Sequence, residues 1–213
     1  QLKKYKDYLI RQVTKRKIDI RLGTEASEEI VNTVKPDAII VATGAKPIRP
    51  KIPGIDRENV MYAADSYYYP EKVGKKVVMI GGGLVGCEVG SHLANVGHSV
   101  EILEMGPELA PEDNGFHHCG MMAFWEDRPI QGHTGMKVTK ITEEGVCAET
   151  KDGRNVVFEA DTVLYSVGSR ADTSVTDEMR KYCYDVVPVG DCLKSGRIVD
   201  AVGSGYHAAV DLA

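Results

Sequence analysis

One stretch constrains the fold more than any other: Val77-Val-Met-Ile-Gly-Gly-Gly-Leu-Val-Gly-Cys-Glu88. An apolar run, Val77 to Ile80, leads into Gly81, Gly83 and Gly86, spaced G-x-G-x-x-G, and then into a helical pattern. Each glycine answers a physical need. Gly81 permits a tight turn, Gly83 lets backbone approach a pyrophosphate, and Gly86 lets helix and strand pack closely. The helix start offers free N–H groups, those of Leu84 and Val85 among them, to a phosphate. A second apolar run, Val100 to Leu103, ends at Glu104, eighteen residues after Gly86. A dinucleotide fingerprint places its ribose-binding acid at about this distance. In some other α/β fold the glycines would make only a turn, and Glu104 would be an ordinary strand-end charge. Strand, glycines, helix and acid in that order favour the dinucleotide reading.

The remaining segments supply further elements. Leu2 to Lys17 carries a helical stripe, and Ile18 to Leu22 alternates apolar and charged residues, which predicts a strand ended by Gly23. Ser27 is placed to cap a short helix running to Val34, with Glu28 and Glu29 in its first turn and Pro36 as its stop. Asp37 to Ala42 predicts a buried strand entering Thr43-Gly44. Three prolines between Lys46 and Pro53 predict an extended connection. Tyr67, Tyr68 and Tyr69 read as junction packing, and a domain boundary is placed near the basic run Lys72 to Lys76. Leu84 to Val96 is the crossover helix, with Leu84, Cys87, Val89, Leu93 and Val96 able to face the sheet and Gly97 as its stop.

Met105 to Gly135 carries only a weak helical signal, around Phe116 to Trp125. Val138 to Ile141, Val146 to Thr150 and Asn155 to Glu159 predict a small antiparallel meander, with Asp152-Gly153 as a hairpin turn. Thr162 to Val167 is a buried strand ending at Gly168. Residues 171–184 are irregular or a short helix. Asp185 to Val189 is a strand ending at Gly190-Asp191, and Arg197 to Leu212 is a closing helix.

Charge and cysteine usage exclude some partners. A net charge of −5 gives no reason to expect nucleic acid. No apolar stretch approaches a membrane span and no signal peptide opens the chain. Five cysteines without a C-x-x-C pair suit reduced thiols, so a cytoplasmic location is expected. His117-His118-Cys119 matches no zinc spacing, and no metal ligand is assigned.

The order Asp37 to Gly44, Gly81 to Glu88, Asp161 to Gly168 and Gly190-Asp191 resembles the flavoproteins with two dinucleotide-binding domains, the pyridine-nucleotide:disulfide oxidoreductase superfamily. Two segments are more specific: Ala42 to Pro47 through Ile52-Pro-Gly-Ile55, and Val189 to Ala201. They are similar to the C-terminal half of NADH:flavin oxidoreductases of the 2-enoate reductase, 2,4-dienoyl-CoA reductase and bile-acid oxidoreductase type. Asn114 to Gly135 departs from that pattern.

The resemblance implies an α/β, Rossmann-like fold with two dinucleotide-binding domains and a small antiparallel β-meander. An NAD(H)-binding domain, residues 72–172, would be inserted between two parts of an incomplete FAD domain, residues 1–71 and 173–213. Thr43 and Gly44 would pass near the flavin nucleotide. Asp191, after Gly190, would accept a hydrogen bond from the ribityl chain. Gly168 would be the strand-end glycine of the nicotinamide domain, and Glu88 would point toward the nicotinamide end of the cleft. Glu104 would accept from both adenine-ribose hydroxyls and favour NADH over NADPH.

Residues 1–44 hold no dinucleotide fingerprint, and Gln1 rather than Met opens the chain. The chain is therefore expected to be a fragment that is inactive alone. It would pass a hydride from NADH to FAD, and electrons onward to an N-terminal barrel carrying FMN and an iron–sulfur cluster. The cofactors do this chemistry, so no catalytic side chain is named. A truncated disulfide or ferredoxin reductase, or a non-catalytic nucleotide-binding module, are the alternatives.

Overall fold

The computed structural model describes residues 2–212. Helices α1 (Leu2–Lys15) and α2 (Glu28–Val34) precede strands β1 (Ala38–Val41), β2 (Ala45–Pro47) and β3 (Val60–Tyr62). Strand β4 (Lys76–Ile80), helix α3 (Leu84–Asn95) and strand β5 (Ser99–Glu104) form a βαβ unit. Helix α4 (Gly115–Trp125) and strand β6 (Ile130–Thr134) follow. Then come β7 (Lys137–Ile141), β8 (Gly145–Glu149), β9 (Asn155–Glu159), β10 (Thr162–Tyr165) and β11 (Ser169–Ala171). Helix α5 (Ser174–Met179), strand β12 (Asp185–Pro188) and helix α6 (Ile198–Asp211) close the chain.

Five strands make one parallel sheet in the order β3-β10-β4-β5-β6. The two-residue period of a strand sends Val77 and Met79 to one face and Val78 and Ile80 to the other, and all four are buried. On the first face α3 and α4 bring Cys87, Val89, Leu93, Met121 and Trp125 against Val77, Met79, Val100 and Ile102. The second face is covered by the antiparallel sheet β7-β8-β9, whose Ile141, Val146 and Ala148 meet Val78, Ile80, Leu103 and Val163. The central sheet therefore lies between a helical layer and the meander.

The two ends of the chain meet elsewhere. Strand β1 pairs in parallel with β12, and β2 pairs antiparallel with β11. Val31, Val41, Met179 and Cys192 form their small core. Ser27 caps α2 by accepting from the Ile30 N–H, and Lys35 ends it in the left-handed region just before Pro36.

Several expectations are corrected. Ile18 to Leu22 is not a strand. Its alternation finds no neighbouring strand among the described residues, and Ile18, Ile20 and Leu22 stay exposed. Val60–Tyr62, to which the sequence pattern assigns no element, pairs with β10, while Ile52 and Ile55 pack with Ile141 and Val163. Val96 turns outward at the end of α3, 54% exposed. Strands β6 and β11, unforeseen in polar sequence, take the sheet edge and the β2 pairing. No helix among the described residues is long and apolar enough to cross a membrane.

Candidate dinucleotide-binding cleft

The turn from β4 into α3 is built so closely that its glycines cannot be replaced without movement. Gly81 has φ +101°, and a Cβ there would lie 2.2 Å from the Ser166 carbonyl oxygen. A Cβ on Gly86 would lie 2.2 Å from the Gly81 carbonyl oxygen, because α3 sits directly over the turn. The Gly81 N–H donates to the Leu103 carbonyl, which ties the turn to the end of β5. A cleft of about 490 Å³ opens at the carboxyl ends of β4, β5 and β10. Gly81, Gly83, Glu104 and Gly168 all line it. Ligands of open α/β sheets bind at this edge. Ile52, Met136 and Lys137 line it too. Sequence reasoning missed them because they arrive from the connection and the meander, far along the chain from the glycines.

The Glu104 carboxylate is held on both oxygens. One accepts from the Gly82 N–H at 2.7 Å and the other from the Gly106 N–H at 2.6 Å. Each oxygen keeps a further lone pair, so the group remains able to accept from a ligand. The helix mouth corrects an expectation. The Leu84 N–H is not free: it donates to Glu112 Oε1 at 2.7 Å. The loop carrying Glu112 is strapped to the glycine turn, with the Ala110 N–H donating to the Gly82 carbonyl at 2.7 Å. Nothing in the periodicity of residues 105–114 signalled this contact. Cys87, beneath the turn, donates its thiol hydrogen to the Gly82 carbonyl. Burial, with the charges of Glu112 and Glu104, pushes that thiol up to about 12.

Glu88 is not among the residues lining this cleft. It faces an open pocket between α3 and α4 together with Tyr67, Ser91, Phe116 and His117. Burial, and then the Glu88 charge, raise the Tyr67 hydroxyl above its usual value. The Tyr67 ring leans against that of His92 at a tilt, with centroids 4.8 Å apart, and remains half exposed. His117 Nδ1 pairs with Asp113 Oδ2 at 2.7 Å. No group of three His, Cys, Asp or Glu among the described residues could hold a metal ion.

A second group of expected residues collects at the end of the β1–β12 pair. Thr43 and Gly44 follow β1, and Gly190 and Asp191 follow β12. The Val189 N–H donates to the Val41 carbonyl, so the two strand ends lie side by side. Asp191 Oδ1 accepts from the Gly196 N–H at 3.1 Å, and the Gly190 N–H donates to Ser204 Oγ at 2.8 Å. Gly190, Lys194, Ser195 and Asp200 line a cavity of about 250 Å³ there. Asp200 also closes the start of α6 by accepting from the Arg197 N–H. Cys192 is fully buried, its thiol on the Val41 carbonyl, as a packing residue would be.

Comparison with known proteins adds a family match, two relatives and a solved structure. The family model described as pyridine nucleotide-disulphide oxidoreductase matches residues 2–195. An NADH oxidase of Thermoanaerobacter brockii is 33% identical over 217 residues, covering 98% of this chain and 33% of its own. A bilirubin reductase of Mediterraneibacter gnavus is 34% identical over 203 residues, covering 95% of this chain and 32% of its own. A solved 2-naphthoyl-CoA reductase in complex with 2-naphthoyl-CoA superposes with a TM-score of 0.87 at 31% identity, over 93% of this chain and 30% of that one. The chain thus spans about a third of the length of these curated relatives.

Proposed function

The chain belongs to the pyridine nucleotide-disulphide oxidoreductase family, and from that premise we propose that it binds NADH in the cleft at Gly81 and Glu104, as the nicotinamide-binding part of a flavin-dependent oxidoreductase. One observation carries this reading. Gly81, Gly83, Glu104 and Gly168 stand at the ends of three different strands and line a single cavity at the carboxyl edge of a parallel sheet. The residues fit a dinucleotide. Gly81 and Gly86 let the turn close tightly beneath α3, Gly83 puts no side chain in the path of a diphosphate, and the carboxylate of Glu104 is already oriented by two N–H groups. Its free lone pairs would accept from both adenine-ribose hydroxyls, whereas a 2′-phosphate would meet like charge. Glu88 would act at the nicotinamide end from the far side of α3, and Val85 would offer its N–H at the helix mouth.

We divide the chain where β2 crosses β11. On this reading residues of about 48–168 form the dinucleotide unit, and the segments before and after it belong to an FAD-binding unit. Thr43, Gly44, Gly190 and Asp191 would contribute to holding FAD, Asp191 by accepting from a ribityl hydroxyl with the oxygen that Gly196 does not use. FAD would supply the hydride acceptor; this chain's own residues orient the donor dinucleotide and keep its sugar in register. The parent enzyme's FMN, its iron–sulfur cluster, the flavin barrel that carries them, and a cytoplasmic location belong to the same proposal.

Titration of the chain with NADH and with NADPH, followed by calorimetry, tests it. Saturable binding with NADH the tighter ligand is expected. Tighter NADPH would remove Glu104 from its assigned role, and no binding of either would overturn the cleft.

A further inference from the structure

We propose that Glu112 is an internal stand-in for the diphosphate, so that a dinucleotide enters the cleft only by displacing its carboxylate from the mouth of α3. This rests on the cleft reading above. A helix start presents N–H groups that favour an anion. Here one of them, on Leu84, already donates to Glu112 Oε1 at 2.7 Å. The same oxygen lies 3.2 Å from where a Cβ on Gly83 would be. Gly83 is the residue whose missing side chain lets a diphosphate approach, so the carboxylate fills the space that the glycine leaves open.

The contact is built rather than incidental. On one side of Glu112, Ala110 is 1% exposed and bonded to Gly82, and Leu109 lies against Gly82 and Gly132. On the other side Asn114 caps α4 by accepting from the His117 N–H at 2.9 Å. Glu112 is therefore suspended between two anchors, which aim it at the helix mouth. It is itself exposed. Its departure would open no core, only one charge-assisted hydrogen bond and a rotation of its side chain. A diphosphate and a carboxylate repel and compete for the same N–H groups, so they cannot share the mouth. The device would lower the affinity for any ligand carrying the diphosphate and leave the adenosine end untouched.

The experiment compares the wild-type chain with Glu112→Ala and Glu112→Gln, each titrated with NADH and with adenosine, and each checked by thermal unfolding to be cooperatively folded at the assay temperature. Glu112→Ala is expected to bind NADH about tenfold more tightly, the equivalent of one competing charge-assisted hydrogen bond. Glu112→Gln keeps a neutral acceptor and is expected to gain less. Adenosine affinity should be the same in all three. If wild type binds NADH and neither variant binds it more tightly, or if adenosine gains equally, the stand-in is wrong while the cleft reading stands. If no form binds NADH, both fall together.

Discussion

Glu104 combines a role in the fold with its proposed role in binding, and the two can be separated by measurement. Replacing it with Ala removes the acceptor for the Gly82 N–H and for the Gly106 N–H at once. Hydrogen bonds to a charged group contribute about 1.5–3 kcal/mol each, and a half-buried N–H recovers part of that from water. The expected loss is therefore about 2–4 kcal/mol, less than the sum of two full bonds. For a domain of this size that lowers the unfolding midpoint by roughly 5–15 °C. Glu104→Gln should fall between wild type and Glu104→Ala. Its amide oxygen can serve one N–H, but its NH₂ group would then face the other donor. Urea and thermal unfolding without nucleotide are the assays. A Glu104→Ala midpoint indistinguishable from wild type would refute the reasoning, because it would mean the two glycine N–H groups are satisfied without the carboxylate. NADH titration of the same variants then reports the ribose contribution separately.

Two further outcomes follow from charge and burial. Hydrogen bonding from Lys46, and then from Ser174, holds the Asp172 carboxyl down to about 2, against an ordinary 3.8. A lowered folded value means that its contribution is complete above the ordinary value and is lost as pH falls toward the folded one. Asp172→Asn should therefore differ most from wild type above pH 3.8 and converge with it near pH 2 in acid-unfolding curves; a constant gap would contradict this. Among the thiols, Cys119 is exposed while Cys87 and Cys192 are buried. A disulfide reagent at pH 8 should modify Cys119 first, and equally fast labelling of Cys87 would show that the turn above it opens in the folded state.

How much of this was legible beforehand depended on how local the determining contacts were. Val77 to Glu88 announced strand, turn and helix because each glycine answers to a neighbour a few residues away, or to the one parallel strand that any such turn must touch. The resemblance read from Ala42 to Pro47 and from Val189 to Ala201 is borne out by the family and its relatives. Ile18 to Leu22 carried the same two-residue alternation as a true strand and yet forms none, since alternation describes a face and not the partner that must cover it. Val60–Tyr62 is the converse. Three residues carry no readable period, and the segment becomes a strand because β10, a hundred residues later, offers an open edge. The cleft shows the same asymmetry. Gly81, Gly83 and Glu104 could be named from spacing, and Gly168 from the resemblance. Ile52, Met136 and Lys137 reach it only through the packing of the meander on the sheet. Glu112 reaches the helix mouth only because Leu109 and Ala110 are pinned to Gly82. A fingerprint thus tells where an anion is welcome. Whether the chain already keeps one of its own there is decided by the loop that folds back over the turn.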